Sequence, residues 1–130
     1  MPSISQGLAT AVLMTLMAVP ALADGDPLNG QKAFRKFAAC HTVDSGGASR
    51  MGPNLHGIVG SVTAQADGFR YSDAMAQLGE EGHVWTPEEL DRFLKDPRGT
   101  VPGNRMAFAG LKKDDERADV IAYLETLNGE

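Results

Sequence analysis

Phe37-Ala38-Ala39-Cys40-His41 decides how the rest of the chain is read. It has the spacing of the pentapeptide through which haem is attached to protein, with phenylalanine at the place of the first cysteine. At such a site a thiol adds across a porphyrin vinyl group, and the histidine that follows ligates the iron through an imidazole nitrogen. Cys40 would anchor haem by one thioether and His41 would be the first axial ligand. A full Cys-x-x-Cys-His is specific because two anchors and a ligand at fixed spacing rarely coincide by chance. A lone Cys-His pair more often marks a small buried cysteine beside a surface histidine, so the surrounding sequence has to decide.

The amino-terminal segment sets the compartment. An apolar stretch from Gly7 to Val19 leads into Pro20-Ala21-Leu22-Ala23 and then at once into the polar Asp24-Gly25-Asp26. This is the pattern of a secretory signal, residues 1–23, cleaved after Ala23 to leave a domain of residues 24–130. No Lys or Arg precedes the apolar run, so its positive end rests on the amino terminus, and an uncleaved anchor is the other reading. The run is short for a spanning helix, and Ala21 and Ala23 suit the peptidase. Secretion places the single cysteine of the chain in an oxidising compartment, where a thioether would remove a reactive thiol. A domain of this size has a modest core, which a bound prosthetic group would complete. The net charge of −5 speaks against a nucleic-acid partner.

Helices joined by glycine-rich loops are expected, and alternating strand patterns are absent, so the fold class is all-α. Asp26-Pro27 can cap a helix whose Gly30, Phe34 and Phe37 share one face. Thr42 to Arg70 reads as a long loop, of the kind that wraps something. Ser72 to Leu78 reads as a short helix closed by Gly79, and Thr86-Pro87-Glu88-Glu89 as a capping box opening a helix through Leu90, Phe93 and Leu94 to Pro97. An irregular stretch follows to Gly110. A last helix starts at Asp114-Asp115-Glu116, carries Val120, Ile121, Leu124 and Leu127 on one stripe and ends at Gly129.

His41 needs a partner on the other face of the iron. Pro102-Gly103-Asn104-Arg105-Met106-Ala107-Phe108-Ala109-Gly110 offers Met106 from a stiff, non-helical loop. A thioether is a soft neutral ligand that favours ferrous iron, so a His/Met pair raises the reduction potential. Met51 reads as a loop residue and Met75 as a core filler. His56 reads as a structural residue of its turn, and His83 as exposed in a charged loop.

Several pieces occur together and in order: Gly25-Asp26 and Phe34, Ala38 to Val43, Gly52-Pro53-Asn54-Leu55-His56-Gly57, Gly68 to Ala74, Trp85, Pro102 to Gly110, and Ile121-Ala122-Tyr123-Leu124. In these the chain resembles the class I cytochrome c family, the small soluble bacterial electron carriers in particular, over residues 24–130. The resemblance implies a fold of helices and loops wrapped around one haem c, with the terminal helices crossing through Gly30 and Phe34 against Val120 and Tyr123. It implies His41 and Met106 as the axial metal ligands and the Pro53 carbonyl as acceptor for the other imidazole N–H. Tyr71 and Trp85 would donate hydrogen bonds to the propionates. Phe37 would lie beside the vinyl that keeps its double bond. Where the family has the first cysteine this chain has Phe37; where it often has arginine, asparagine and tyrosine the chain has Ser61, Met75 and Phe93.

Charge is unevenly spread. Residues 92–113 carry a net +5 and residues 28–41 a net +3, which leaves −13 on everything else. The segments flanking both ligands are thus positive, an arrangement that could turn the haem edge toward an acidic redox partner. The resulting expectation is a monomeric periplasmic carrier of single electrons, not an enzyme, with no stable membrane insertion once the signal is removed. Two alternatives stay open: a haem peroxidase or gas-binding sensor in which Met106 is labile, and an interaction module in which Cys40 stays free and no haem is held.

Overall fold

The computed structural model describes residues 2–3, 7–15 and 24–128. Five helices carry the domain: α1 Pro27–Ala33, α2 Asp73–Glu80, α3 Pro87–Lys95, α4 Pro97–Thr100 and α5 Asp114–Glu125. Short 3-10 turns extend α1 (Phe34–Lys36) and α5 (Thr126–Asn128). Among the described residues the only β pairing is an isolated antiparallel bridge between Val62 and Val84, so the all-α expectation holds with that one addition. In residues 7–15 no helix or strand forms, and Leu8, Val12, Leu13 and Met14 are 84–94% exposed. Ala21, Ala23 and the expected cleavage point lie outside the described residues, as does Gly129 at the expected end of α5.

Each helix start follows from its first residues. The Asp26 carboxylate accepts the Leu28 and Asn29 N–H groups ahead of Pro27, and Ser72 accepts the Met75 N–H at the head of α2. Thr86 accepts the Glu89 N–H at α3. The expected capping box is only half formed: Glu89 turns its carboxylate to His83 and Arg92 instead of back to Thr86.

The terminal helices cross as expected, and Gly30 permits the crossing. A Cβ there would sit 1.8 Å from the Asp119 carbonyl oxygen and 2.8 Å from the Tyr123 Cβ. Phe34 then packs on Tyr123 at a tilt of 46°, with ring centroids 5.5 Å apart. Asp119 accepts the Asp26 N–H at 2.8 Å, and Lys36 pairs with Glu116 beside the crossing. The apolar stripes of α1, α3 and α5 close over one core that includes Phe34, Phe37, Trp85, Leu90, Phe93, Leu94, Val120, Ile121 and Leu124.

Two expectations about α2 and its neighbourhood need correction. Gly79 does not end α2 but lies within it, where a Cβ would meet the Thr63 carbonyl oxygen at 2.4 Å. The reversal is made by Gly82, whose φ is +78°. His83 is half-buried, not exposed in a charged loop: Thr63, itself 0% exposed, meets its Nδ1 at 2.7 Å, and Glu89 meets its Nε2 at 3.1 Å. The bond from His83 is the main reason the Glu89 carboxyl is held below its ordinary pKa. Within the stretch expected to be irregular, Pro97–Thr100 forms one helical turn, because Asp96 accepts the Gly99 N–H and Pro97 suits the first position.

Arg117 is the other residue that composition misplaces, being 2% exposed. Its guanidinium binds the Asp91 carboxylate at 2.7 Å, the Leu111 carbonyl at 2.9 Å and the Asp114 carboxylate, tying α5 to α3 and to the end of the Met106 loop.

Candidate haem site

The attachment segment is a single tight turn. The Cys40 and His41 N–H groups both donate to the Phe37 carbonyl, at 3.0 and 2.9 Å, so the backbone of Phe37 begins the turn whatever its side chain. The Phe37 ring, 8% exposed, packs 5.8 Å from Phe34 and edge-on to Phe108 at 5.0 Å. It therefore belongs to the core, and it joins the attachment turn to the loop that carries Met106. Cys40 is half-buried at the end of this turn.

His41 is fixed by the next segment. Its Nδ1–H donates to the Pro53 carbonyl at 2.8 Å, the bond expected from the sequence, and the Gly52 N–H donates to the Cys40 carbonyl at 2.7 Å. Gly52 lies flat against the ring: a Cβ there would fall 2.3 Å from Cε1, 2.6 Å from Nδ1 and 2.8 Å from Nε2. Burial lowers the imidazole pKa, against the opposing effect of the Pro53 bond. With Nδ1 protonated, the lone pair is on Nε2, the tautomer an iron ligand requires. These donors fit a haem iron without further protein ligands, and the described residues contain no cluster of His, Cys, Asp and Glu that could hold a metal by themselves.

Met106 is half-buried against the core. Its N–H donates to Asn104 Oδ1 at 2.9 Å and its carbonyl accepts the Phe108 N–H at 3.0 Å. Arg105 reaches across to the Arg70 carbonyl at 2.5 Å and so ties the loop to the segment carrying Tyr71. The Tyr71 oxygen accepts the Ala66 N–H at 2.9 Å, which leaves its own O–H to donate, and burial raises its pKa against that bond. Trp85 is 5% exposed, edge-on to His83 at 4.9 Å and 5.1 Å from Phe93. Ser61, at the place where the family often has arginine, donates to the Ile58 carbonyl at 2.7 Å. His56 bonds the Val43 carbonyl at 3.0 Å, the structural role expected of it.

Two surface hollows lie apart from both candidate ligands. One of about 410 Å³ is lined by Phe69 and Tyr71 among others, and one of about 820 Å³ lies between α1, α3 and α5; neither is lined by His41 or Met106. The donor arrangement, not a cavity, marks the site. Gly52 and Asn104 take roles here that the motifs containing them do not reveal. The signal for Asn104 was its position two residues before a candidate ligand, where an Asn side chain commonly accepts a backbone N–H.

A polypeptide that wraps long loops between crossed terminal helices, with Cys-His on one loop and Met on another, has the make-up of a covalent haem protein. The family model for cytochrome c matches residues 28–128. The chain is 44% identical over 101 residues to cytochrome c2 of Agrobacterium tumefaciens, covering 78% of this chain and 91% of that one. It is 41% identical over 104 residues to cytochrome c-550 of Ancylobacter novellus, covering 80% and 97%. The solved structure of cytochrome c2 from Rhodospirillum centenum superposes with a TM-score of 0.75 at 33% identity, covering 79% of this chain and 98% of that one. The chain belongs to the class I cytochrome c family, and its cofactor is covalently bound haem c.

Proposed function

We propose that the protein is a periplasmic carrier of single electrons whose haem is held by one thioether from Cys40 and ligated by His41 and Met106. The observation that carries this reading is the His41 ring, fixed by Pro53 and Gly52 with Nδ1 on the Pro53 carbonyl and Nε2 left for iron. When bound, haem supplies an iron that alternates between ferric and ferrous states. The chain holds both axial donors on braced segments, so little rearranges when the charge changes and no position is left for substrate. Tyr71 and Trp85 would donate to the propionates, which would let charged groups be buried beside neutral donors.

Secretion rests on residues 1–23, cleaved after Ala23. The exposure of Leu8, Val12, Leu13 and Met14 agrees with a segment that adds nothing to the domain's packing. No helix among the described residues is long and apolar enough to cross a membrane. The protein acts as a monomer and is not an enzyme. Bracing of the Met106 loop at Asn104 and Gly110 favours a closed sixth position over the peroxidase or gas-sensor reading.

Met106→Ala tests the ligation. It is expected to keep covalent haem but to lose the Met-to-iron charge-transfer band, lower the potential and admit external ligands. An unchanged spectrum and potential would remove Met106 from the site. In the native protein a high-spin spectrum would favour the labile-ligand alternative, and the absence of a haem band would favour the free-thiol one.

An acidic redox partner is the occupant the charge pattern suits. Lys36 and Arg92 are partly neutralised by Glu116 and Glu89, but Arg35 and Arg98 are exposed. Arg35→Glu and Arg98→Glu are expected to slow electron transfer with the native partner roughly tenfold at low salt and to flatten its dependence on ionic strength, whereas Glu80→Lys changes little. Equal effects from both faces in stopped-flow kinetics would exclude steering by this dipole.

A further inference from the structure

The side chain of Asn104, two residues before Met106, makes three hydrogen bonds. Nδ2 donates to the Pro97 and Val101 carbonyls, both at 2.8 Å, and Oδ1 accepts the Met106 N–H at 2.9 Å. The two carbonyls belong to α4 and its cap, which is a firm support. Pro97 and Val101 are buried, Asp96 closes the turn through the Gly99 N–H, and Thr100 donates to the Arg92 carbonyl of α3 at 3.0 Å. At the far end of the loop the Leu111 N–H donates to the Leu94 carbonyl at 2.7 Å, and Gly110 passes so close to α3 that a Cβ would lie 2.2 Å from the Lys95 carbonyl oxygen. The loop thus hangs between two fixed points on α3 and α4, and Asn104 is the one adjacent to the methionine.

We infer that Asn104 is the positioning residue for Met106: its amide holds the loop in register on the α4 turn and thereby sets how readily the Met106 thioether leaves the iron. This rests on Met106 being the second axial ligand. A primary amide suits the position because it alone among short side chains offers two donors and an acceptor at once. An alanine would leave the Met106 N–H without its acceptor and would untie the loop from the Pro97 and Val101 carbonyls, which would keep only their bonds from the Val101 and Asn104 N–H groups, and water entering to replace the amide would favour loop conformations in which the thioether is turned away. Threonine keeps an acceptor for the Met106 N–H and one donor, and should recover part of the effect.

The test compares the ferric holoproteins of Asn104→Ala, Asn104→Thr, Met106→Ala and Leu124→Ala by imidazole titration, by the charge-transfer band and by hydrogen exchange of the Met106 amide. Leu124→Ala is a control that weakens the core away from the loop. Asn104→Ala is expected to raise the apparent affinity for imidazole about tenfold, as the fraction of open sixth position rises by that factor. It should also weaken the charge-transfer band and speed exchange at Met106, with Asn104→Thr between it and the native protein. If Asn104→Ala only lowers the unfolding midpoint, as Leu124→Ala does, with imidazole affinity and exchange at Met106 unchanged, the assignment is overturned. Should Asn104→Ala yield no holoprotein, the threonine variant decides by the same readings. If Met106→Ala leaves the band and the imidazole affinity of the native protein intact, it is the ligation reading that fails, which separates the two outcomes.

Discussion

Phe37→Ala is expected to lower the unfolding free energy of the holoprotein by about 4 kcal/mol, the range for deleting a buried aromatic side chain. The ring is 8% exposed and touches Phe34 on one side and Phe108 on the other, so its loss leaves a cavity between α1's extension and the Met106 loop. Phe37→Cys removes the same ring but offers a second thiol at the family's usual place. A second thioether would restrict the unfolded chain further, by about 2 kcal/mol on the reasoning for short cross-linked loops. Phe37→Cys should therefore be less stable than the native protein yet more stable than Phe37→Ala. Denaturant unfolding of the three proteins measures the order. In alkaline pyridine the reduced native protein should absorb to the red of a doubly attached haem, because one vinyl stays conjugated, and Phe37→Cys should shift to the blue. A native pyridine spectrum that already matches double attachment would refute the single thioether, and a Phe37→Ala protein as stable as the native one would refute the packing role of the ring.

Gly52→Ala is expected to abolish most haem incorporation. The added methyl would lie 2.3 Å from His41 Cε1, well inside van der Waals contact, and the clash is with a ring held through Nδ1 by Pro53 rather than with a free side chain. Either the ring leaves the Pro53 carbonyl or the Gly52–Pro53 backbone retreats and breaks the 2.7 Å bond to the Cys40 carbonyl. Overpacking of this kind costs about 2 kcal/mol in the folded protein, and here it also misdirects the ligand nitrogen. The holoprotein recovered, measured by haem absorbance per polypeptide, should fall to roughly a tenth or less. Full incorporation with an unshifted potential would mean that the ring does not depend on this contact.

The amino-acid order by itself determined the helix starts, because Asp26, Ser72 and Thr86 cap through bonds two or three residues away, and it determined the apolar stripe of α5. It also marked Cys40, His41 and Met106 through local motifs and their family order. What it could not decide were contacts between distant segments. Gly79 looked like a helix end because glycine often is one, yet its reason is the Thr63 backbone pressed against it. His83 and Arg117 looked solvated because ionisable residues mostly are, yet Thr63 and Glu89, and Asp91 and Asp114, pair with them in three dimensions. Phe37 marked a missing cysteine in the sequence and became a core residue only when Phe108, far along the chain, folded onto it. Capping and periodicity act over one or two helical turns and are written locally, whereas burial, close approach and pairing depend on which remote segment arrives, and that is decided only by the whole chain packing at once.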